Sequence, residues 1–331
     1  MNVMKCISSV KTTALKYNRM NKPLHRWILI LSMLMPLYPA LQIFAGGQPE
    51  EQPEGQRRPG IAVSILPMKY FVERISGDDF EVMVIVPPGK SPATYEPTPR
   101  QVGSLAGAKI LFAIGVPFEN AFLPTIASTM KKLRIVDTSE KIEKRSIQNE
   151  IDRDGHSDAG GEEHTHDPFM PDPHIWLVPR LVRIQARTIL EALIETVPEK
   201  SAEYTSNCDA FITELEELDT MLRKTLAPVK GSPILVYHPS FGYFAEEYGL
   251  SQIPIELGGN EPTPRQLEQI ITLSRNKNIR VIFVQPEFSK TSAARVAQAI
   301  DGAVVEVAPL REDYIQNMFD IAESIQAGIT R

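Results

Sequence analysis

Residues 198–226 read PEKSAEYTSNCDAFITELEELDTMLRKTL. Apolar side chains recur in this stretch at steps of three and four residues: Tyr204, Cys208, Phe211, Ile212, Leu215, Leu218, Leu222 and Leu226. Glu, Asp, Lys and Thr dominate the remaining positions. This spacing predicts one long amphipathic helix, about 43 Å in length at a rise of 1.5 Å per residue. Pro228 and Gly231 end it.

On both sides of this helix, short apolar segments alternate with helical segments. Before it, strands are predicted at Ile61–Ile65, Val82–Val86, Ile110–Ile114 and, more weakly, Ile135–Val136, with helices at Met68–Ile75, Arg100–Ala106 and Glu119–Met130. After it, strands are predicted at Ile234–Tyr237, Ile279–Val284 and Val304–Val307, with helices at Phe241–Tyr248, Arg265–Asn276, Ser292–Ile300 and Asp313–Ala327. Such alternation indicates parallel sheets with right-handed crossovers. We therefore predict an α/β protein with two parallel-sheet lobes joined by a long rigid helix.

One phrase occurs in both predicted lobes. Residues 96–102 read EPTPRQV, and residues 261–267 read EPTPRQL. In each, the Thr is suited to cap a helix and the Pro that follows is suited to its first turn. The repeat indicates two similar helix starts and supports two related lobes.

The first 45 residues have the composition of an export signal. They carry six Lys or Arg and no acidic residue, and the largely apolar stretch 27–45 ends at Ile43-Phe44-Ala45, which resembles a signal peptidase site. Pro36 and Pro39 interrupt the apolar stretch, which favours a cleaved signal over a membrane span. We predict a signal peptide at 1–45, with Met20 as an alternative start, and a periplasmic or other extracytoplasmic location.

The remaining residues divide into four predicted segments. They are a flexible Pro/Glu/Gln/Gly tether at 46–59, an N-terminal lobe at 60–197 with a His-rich loop at 152–169, the connecting helix at 198–226, and a C-terminal lobe at 227–331. Without residues 1–45 the net charge is −12, against −6 for the whole chain. An acidic exported protein of this kind is a poor candidate for nucleic-acid binding, and we expect a monomer.

Four of the six histidines lie between His156 and His174, where the sequence reads HSDAGGEEHTHDPFMPDPH. Imidazole suits zinc and other late first-row metals, and the surrounding carboxylates attract cations. A second reading of this segment is a solvated acidic loop. The tract is nonetheless typical of metal binding, and it makes His164 and His166 candidate ligands.

Further candidate residues follow predicted strands, where ligands bind in open parallel sheets. His238 follows the strand at Ile234–Tyr237 directly, and Glu287 comes three residues after Val284. Residues 87–97 follow the second strand of the first lobe. We expect these loops to face one another across a cleft, which His174 enters from the end of the acidic loop.

Four segments in this order resemble the zinc- and manganese-binding proteins of ABC importers, the ZnuA/TroA-like family. They are PPGKSPATYEPTPRQ at 87–101, DPHIWL at 172–177, YHPSFGYF at 237–244 and FVQPEFS at 283–289. The His-rich insertion and the long helix also occupy the positions expected in the family. The resemblance, which covers about residues 60–331, implies two α/β lobes with metal in the cleft, capture of a divalent metal, delivery to a membrane permease, and no catalysis.

The chain departs from the family pattern at two expected ligand positions. Ala93 stands where the pattern has His, and Ala308 stands where it has Asp. The resemblance keeps His174 and His238 as ligands, and Glu287, which occupies a position where Gln is expected, offers a carboxylate. Because zinc is normally four-coordinate, we predict a site of His174, His238 and Glu287, completed by water or by His164 or His166.

The residues leave several alternatives open. Nitrogen ligands favour Zn²⁺, with Mn²⁺ or Fe²⁺ as alternatives if Glu287 coordinates. Loss of two ligands is also compatible with a receptor for a metal–chelate complex, or with an adhesin-like binding protein. A metalloenzyme is disfavoured, because His164-Thr165-His166-Asp167 is not followed by the further Asp-His of a dinuclear hydrolase, and no His-Glu-x-x-His, Gly-x-Ser-x-Gly or phosphate loop occurs.

Overall fold

Two four-stranded parallel sheets organise the computed structural model, which describes residues 58–147, 171–256 and 259–330. The first sheet contains β1 (Gly60–Val63), β2 (Glu81–Val84), β3 (Ala108–Ala113) and β4 (Arg134–Asp137), in the order β2-β1-β3-β4. The second contains β5 (Pro233–Val236), β6 (Ser251–Pro254), β7 (Val281–Val284) and β8 (Ala303–Glu306), in the order β6-β5-β7-β8. The two sheets have the same topology, and the predicted pair of parallel-sheet lobes is confirmed.

The helices of the described residues are α1 (Leu66–Ser76), α2 (Pro99–Ser104), α3 (Phe118–Thr129), α4 (Pro179–Thr196), α5 (Ser201–Leu226), α6 (Gly242–Tyr248), α7 (Pro264–Asn276), α8 (Lys290–Ala299) and α9 (Tyr314–Ile329). The repeated phrase begins α2 and α7 in the same way. Thr98 and Thr263 each accept a hydrogen bond from the backbone N–H of a Gln three residues later, whose side chain contacts the Thr N–H in return. These reciprocal capping boxes fix matching helix starts in both lobes.

The long helix α5 begins at Ser201, after a 3₁₀ turn at Pro198–Lys200. All eight of its predicted apolar residues are buried. Their partners are on α1, α4 and α9. Because α9 belongs to the second half of the chain and Tyr314 of α9 packs edge-on against Phe71 of α1, the C-terminal helix also contacts the first lobe. The connection between the lobes is therefore packed on several sides, which restricts their relative motion.

Two elements were not among the predicted ones. β6 has the sequence SQIP, too short and too polar to stand out as a strand, and it pairs with β5 along its whole length. α4 follows the segment DPHIWL at 172–177 and buries a regular apolar face that includes Leu181, Val182 and Ile189. Within the described ranges, none of the helices has both the length and the apolar character required to cross a membrane.

Candidate metal site

Three polar side chains meet at the carboxyl ends of β5, β6 and β7. His238 follows β5 by two residues, Glu256 follows β6 by two residues, and Gln285 follows β7 directly. Because β5 lies between β6 and β7 in the sheet, His238 lies between the other two. Parallel topology therefore places a carboxylate on one side of His238 and an amide on the other.

The carboxylate of Glu256 orients the His238 ring, and Gln285 fixes its backbone. The distance from His238 Nδ1 to Glu256 Oε2 is 2.6 Å. Gln285 accepts a hydrogen bond from His238 N–H at 3.3 Å, and its amide donates to His238 O at 3.0 Å and to Ser240 Oγ at 2.7 Å. Glu256 and Gln285 are both buried. The loop after β5 is therefore fixed at its backbone and at its ring.

His174 is oriented by a carboxylate from its own loop. Asp172 Oδ1 accepts a hydrogen bond from His174 N–H at 3.0 Å and lies 2.7 Å from His174 Nδ1. A 3₁₀ turn at Ile175–Leu177 follows, with all three side chains buried, and α4 begins at Pro179. Asp172 and His174 are themselves buried, so the local turn presents the ring on a fixed support.

The two imidazole rings are neighbours, with their centroids 5.3 Å apart and their planes at 71°. An ionised carboxylate can only accept hydrogen bonds, so in each neutral ring Nδ1 carries the proton and Nε2 keeps its lone pair. This is the arrangement by which second-sphere carboxylates prepare histidine for a metal. The structure thus brings His174 and His238 together as two oriented nitrogen donors.

Aromatic side chains enclose the pair. Phe288 stacks on His238 with the ring centroids 4.7 Å apart and an interplanar angle of 15°. Trp176 lies 5.2 Å from the His174 ring and donates its indole N–H to Pro309 O at 3.0 Å. That last bond links the loop of the first lobe to the segment after β8 in the second. The imidazoles are therefore held in a largely apolar and interlobe environment.

Burial changes the ionisation of two groups here. Burial lowers the pKa of His238, an effect opposed by its hydrogen bond to Glu256 and reinforced by the nearby His174. The neutral imidazole, which is the form that binds metal, is therefore favoured. Burial raises the pKa of the Glu287 carboxyl, because desolvation disfavours the charged form, and the nearby Glu306 adds a smaller raising effect.

Glu287 and Ala308 line a cavity of about 390 Å³ between the lobes, together with Val86, Pro88 and Leu310. Ala93 is exposed, and its backbone N–H donates to Ser91 Oγ at 3.3 Å. In the part of the chain that the structure describes, no group of three or more His, Cys, Asp or Glu side chains is arranged to hold a metal ion. Glu287 is thus not gathered with the two histidines into such a group. His164 and His166 lie outside the described residues.

Sequence reasoning did not identify Glu256 or Gln285 as neighbours of His238. The only signal available was their position after β6 and β7, and β6 itself was not predicted. Asp172 was visible in the sequence, two residues before His174. Partners that are distant in the sequence can be identified only when the strand order is known, whereas a partner two residues away can be identified from the turn alone.

Comparison with known proteins agrees with the resemblance of the four segments. The family model described as the periplasmic component A of the zinc-uptake complex matches residues 61–328. A crystal structure of ZnuA superposes with a TM-score of 0.73 at 34% identity, covering 81% of this chain and 98% of that one.

Curated relatives are named for different metals. The high-affinity zinc uptake system protein ZnuA of Bacillus subtilis is 27% identical over 251 residues, which are 75% of this chain and 76% of that protein. The manganese-binding lipoprotein MntA of Halalkalibacterium halodurans is 25% identical over 230 residues, 68% of this chain and 70% of that protein. The similarity therefore extends to proteins named for zinc and to proteins named for manganese.

Proposed function

Because the chain belongs to the ZnuA family of periplasmic zinc-uptake components, we propose that it captures Zn²⁺ between His174 and His238 and delivers it to an ABC permease. Members of this family are metal-binding solute receptors and not enzymes, and this chain is one of them. We further propose that it acts after export through its N-terminal signal, as a monomer, and without any nucleic-acid partner. Its acidic charge favours cations over polyanions.

The pair of carboxylate-oriented histidines is the observation that supports this proposal. Each Nδ1 lies within 2.7 Å of a buried carboxylate oxygen, and the lone pair of each Nε2 is left to coordinate a metal. Two imidazoles on rigid loops form a nitrogen-rich pair of ligands, which suits zinc better than manganese. The lowered pKa of His238 reduces the competition of protons with the metal near neutral pH.

We propose Glu287 as the third ligand. Its neighbour Phe288 stacks on His238, so the segment that carries Glu287 is in contact with the site. The carboxylate is half-buried and faces a cavity without an ion-pair partner among the described residues, and a cation would relieve that cost. Water, His164 or His166 would complete the four ligands that zinc usually takes.

Calorimetric titration with zinc tests the ligand set. The chain from Gly46 onward should contain a tight site that is lost in the His174→Ala/His238→Ala double variant. The matched control is His164→Ala/His166→Ala, which removes two imidazoles from the acidic loop and should leave the tight site in place or weaken it only at its fourth position. Unchanged tight binding in the first double variant, together with its loss in the second, would refute the proposed cleft site.

A second titration isolates the third ligand. Glu287→Gln should weaken zinc binding, because an amide oxygen is a poorer zinc ligand than a carboxylate. Glu312→Gln is the matched control, since Glu312 lines the same cavity but pairs with Lys69. Equal affinity of the Glu287→Gln variant and the parent chain would exclude Glu287 from the coordination shell.

One observation favours a second candidate, a receptor for a metal–chelate complex. The cavity beside Glu287 and Ala308 offers about 390 Å³ of space at the cleft, and Ala93 and Ala308 contribute no ligand. A chelator could fill that space and supply the missing donors. Such a receptor should bind the preformed complex and ignore the free ion, whereas the zinc receptor should compete with the chelator for the ion.

A further inference from the structure

Arg145 lies beside the carboxylate that orients His174. A methyl group built on Gly242 would overlap Arg145 Nη1 and would lie only 2.8 Å from Asp172 Oδ2. Both charged atoms therefore border the same small space above the α-carbon of Gly242. Arg145 Nη1 is buried, and no hydrogen-bond partner accompanies it among the described residues. No ion pair joins Arg145 to Asp172 among the described residues, and Arg145 Nε lies 3.7 Å from Glu246 Oε2. Nη1 is instead a near neighbour of Asp172 Oδ2 across this space.

The backbone holds Arg145 in this position. Asp172 N–H donates to Arg145 O at 2.8 Å, and Ser146 forms an antiparallel bridge with Pro171. From the second lobe, the Tyr243 hydroxyl accepts from Arg145 N–H at 3.0 Å and donates to Asp172 O at 3.2 Å. The Arg145 guanidinium carbon lies 5.6 Å from the Tyr243 ring centre, which adds a cation–π contact. The placement of the charge is therefore fixed from both lobes.

The two oxygens of Asp172 have different neighbours. Oδ1 contacts the backbone N–H and ring Nδ1 of His174, at 3.0 and 2.7 Å, while Oδ2 borders the same space as Arg145 Nη1. The hydrogen bonds to Oδ1 already fix the direction of the carboxylate through a local turn. What Arg145 adds is a positive charge near a buried carboxylate. Glu246, 3.7 Å from Arg145 Nε, offsets part of that charge from the exposed side.

We infer that Arg145 sets the metal affinity of His174 through Asp172, acting as a positioning residue that keeps the bound ion releasable. The inference rests on the proposed zinc site. A metal on His174 Nε2 and the Arg145 guanidinium compensate the same buried negative charge, and Arg145 also repels the incoming cation. Removal of the guanidinium leaves the metal as the main compensating charge. The metal should then bind more tightly and leave more slowly.

The test compares Arg145→Met with the parent chain in zinc titration and in zinc release to a fluorescent chelator. Arg145→Met should bind zinc roughly threefold to tenfold more tightly, the order expected for one partly screened unit charge, with most of the change in the dissociation rate. Its metal-free form should melt at a lower temperature, so zinc should raise its melting temperature by more than in the parent. Arg145→Lys, which retains the charge, should behave like the parent.

Lys141→Met is the matched control for the loss of one positive charge. Lys141 lies in the same segment but pairs with Glu191 at 2.7 Å on the surface, and its loss should leave zinc release unchanged. If Arg145→Met does not fold, Arg145→Gln replaces it, because the amide keeps a polar group in the buried position. Unchanged or weaker zinc binding in the neutral variant, or an equal effect of Lys141→Met, would overturn the inference.

The failure of the inference and that of the zinc site are separable. If the parent chain has no tight site that depends on His174 and His238, the proposed function fails before Arg145 is considered. If that site exists and Arg145→Met does not tighten it, only the role of Arg145 is refuted. A lower melting temperature without tighter binding would reveal a purely structural role and would likewise refute it.

Discussion

His174 and His238 are both oriented by a carboxylate at Nδ1, but the two carboxylates come from different distances along the chain. Asp172 lies two residues before His174 and contacts both its ring and its backbone N–H. Glu256 lies eighteen residues after His238, beyond the neighbouring strand β6, and contacts the ring alone. The first support is formed by a local turn, and the second exists only once the sheet has formed.

Because of this difference, the positions of the two imidazoles depend on different parts of the structure. The position of His174 relative to Asp172 is fixed by a few backbone dihedrals and a buried 3₁₀ turn. The position of His238 depends on the register of β5 with β6 and β7, and Gln285 supplies three additional hydrogen bonds to its loop. His174 thus relies on one residue for orientation, whereas several residues share that task at His238. Loss of a single support should therefore harm His174 more.

The largest expected effect follows from Asp172→Ala. This change removes the acceptor of both the ring and the backbone N–H of His174, and second-sphere losses of this kind cost about 10–100-fold in metal affinity. Competition titration with a zinc chelator measures it. Asp137→Ala is the matched control, because Asp137 makes a similar turn with Ser139 N–H at 2.8 Å and forms no hydrogen bond to either histidine among the described residues. Equal zinc affinity in the Asp172→Ala and Asp137→Ala variants would show that the turn formed by Asp172 does not contribute to zinc binding.

Glu256→Ala should have a smaller effect, on the order of tenfold or less, at or below the lower end of the range for second-sphere partners of metal-bound histidine. The stacking of Phe288 and the hydrogen bonds of Gln285 still hold His238 in its absence. The same chelator competition measures the change, with Glu261→Ala as control, since Glu261 accepts from the Ser292 hydroxyl at 2.9 Å in a neighbouring loop. A greater loss of zinc affinity in Glu256→Ala than in Asp172→Ala would mean that His238, and not His174, depends more strongly on its carboxylate.

The same contrast explains how far the sequence could be interpreted. The parallel sheets, the long helix and the Thr-capped starts of α2 and α7 follow from local periodicity and capping, and the structure contains them. Asp172 could be seen beside His174. Glu256 could not be assigned to His238, because β6 has too weak a strand pattern to place it next to β5. The carboxylate that orients His174 can be identified from adjacent residues, whereas the carboxylate that orients His238 can be identified only when the strand order is known.

The pH dependence of stability tests the effect of burial on His238. Burial lowers the pKa of His238, against the raising effects of Glu256 and Asp172 and together with the lowering effect of His174. The unfolded chain, with a His pKa of about 6.5, therefore binds a proton before the folded one. The contribution of His238 to stability is present above that pH and is lost as pH falls from about 6.5 toward the lower folded pKa.

Thermal unfolding of the metal-free chain between pH 5 and 8 measures this contribution as a difference between the parent and His238→Gln. The difference cancels the opposing contribution of Glu119 and Glu287, whose pKa values burial raises in the folded state. The parent should lose more stability than the variant as pH falls through the window below about 6.5. Parallel curves would mean that His238 titrates as it does in the unfolded chain, and its burial would then not favour the metal-binding form.

The smallest effect should come from Phe288→Leu. Phe288 stacks face to face on His238, and aromatic pairs contribute about 0.5–1.5 kcal/mol beyond the area they bury. Leucine keeps apolar cover over the ring but gives up the stacked geometry, so the imidazole should gain rotational freedom that metal binding must remove. We expect zinc affinity to fall by roughly twofold to tenfold. Phe122→Leu, a partly buried partner of Phe118 in α3, should leave zinc affinity unchanged. A fall larger than that of Glu256→Ala would mean that stacking, and not the Glu256 carboxylate, is the main support of His238. His174, which relies on Asp172, and His238 would then be held by different kinds of contact.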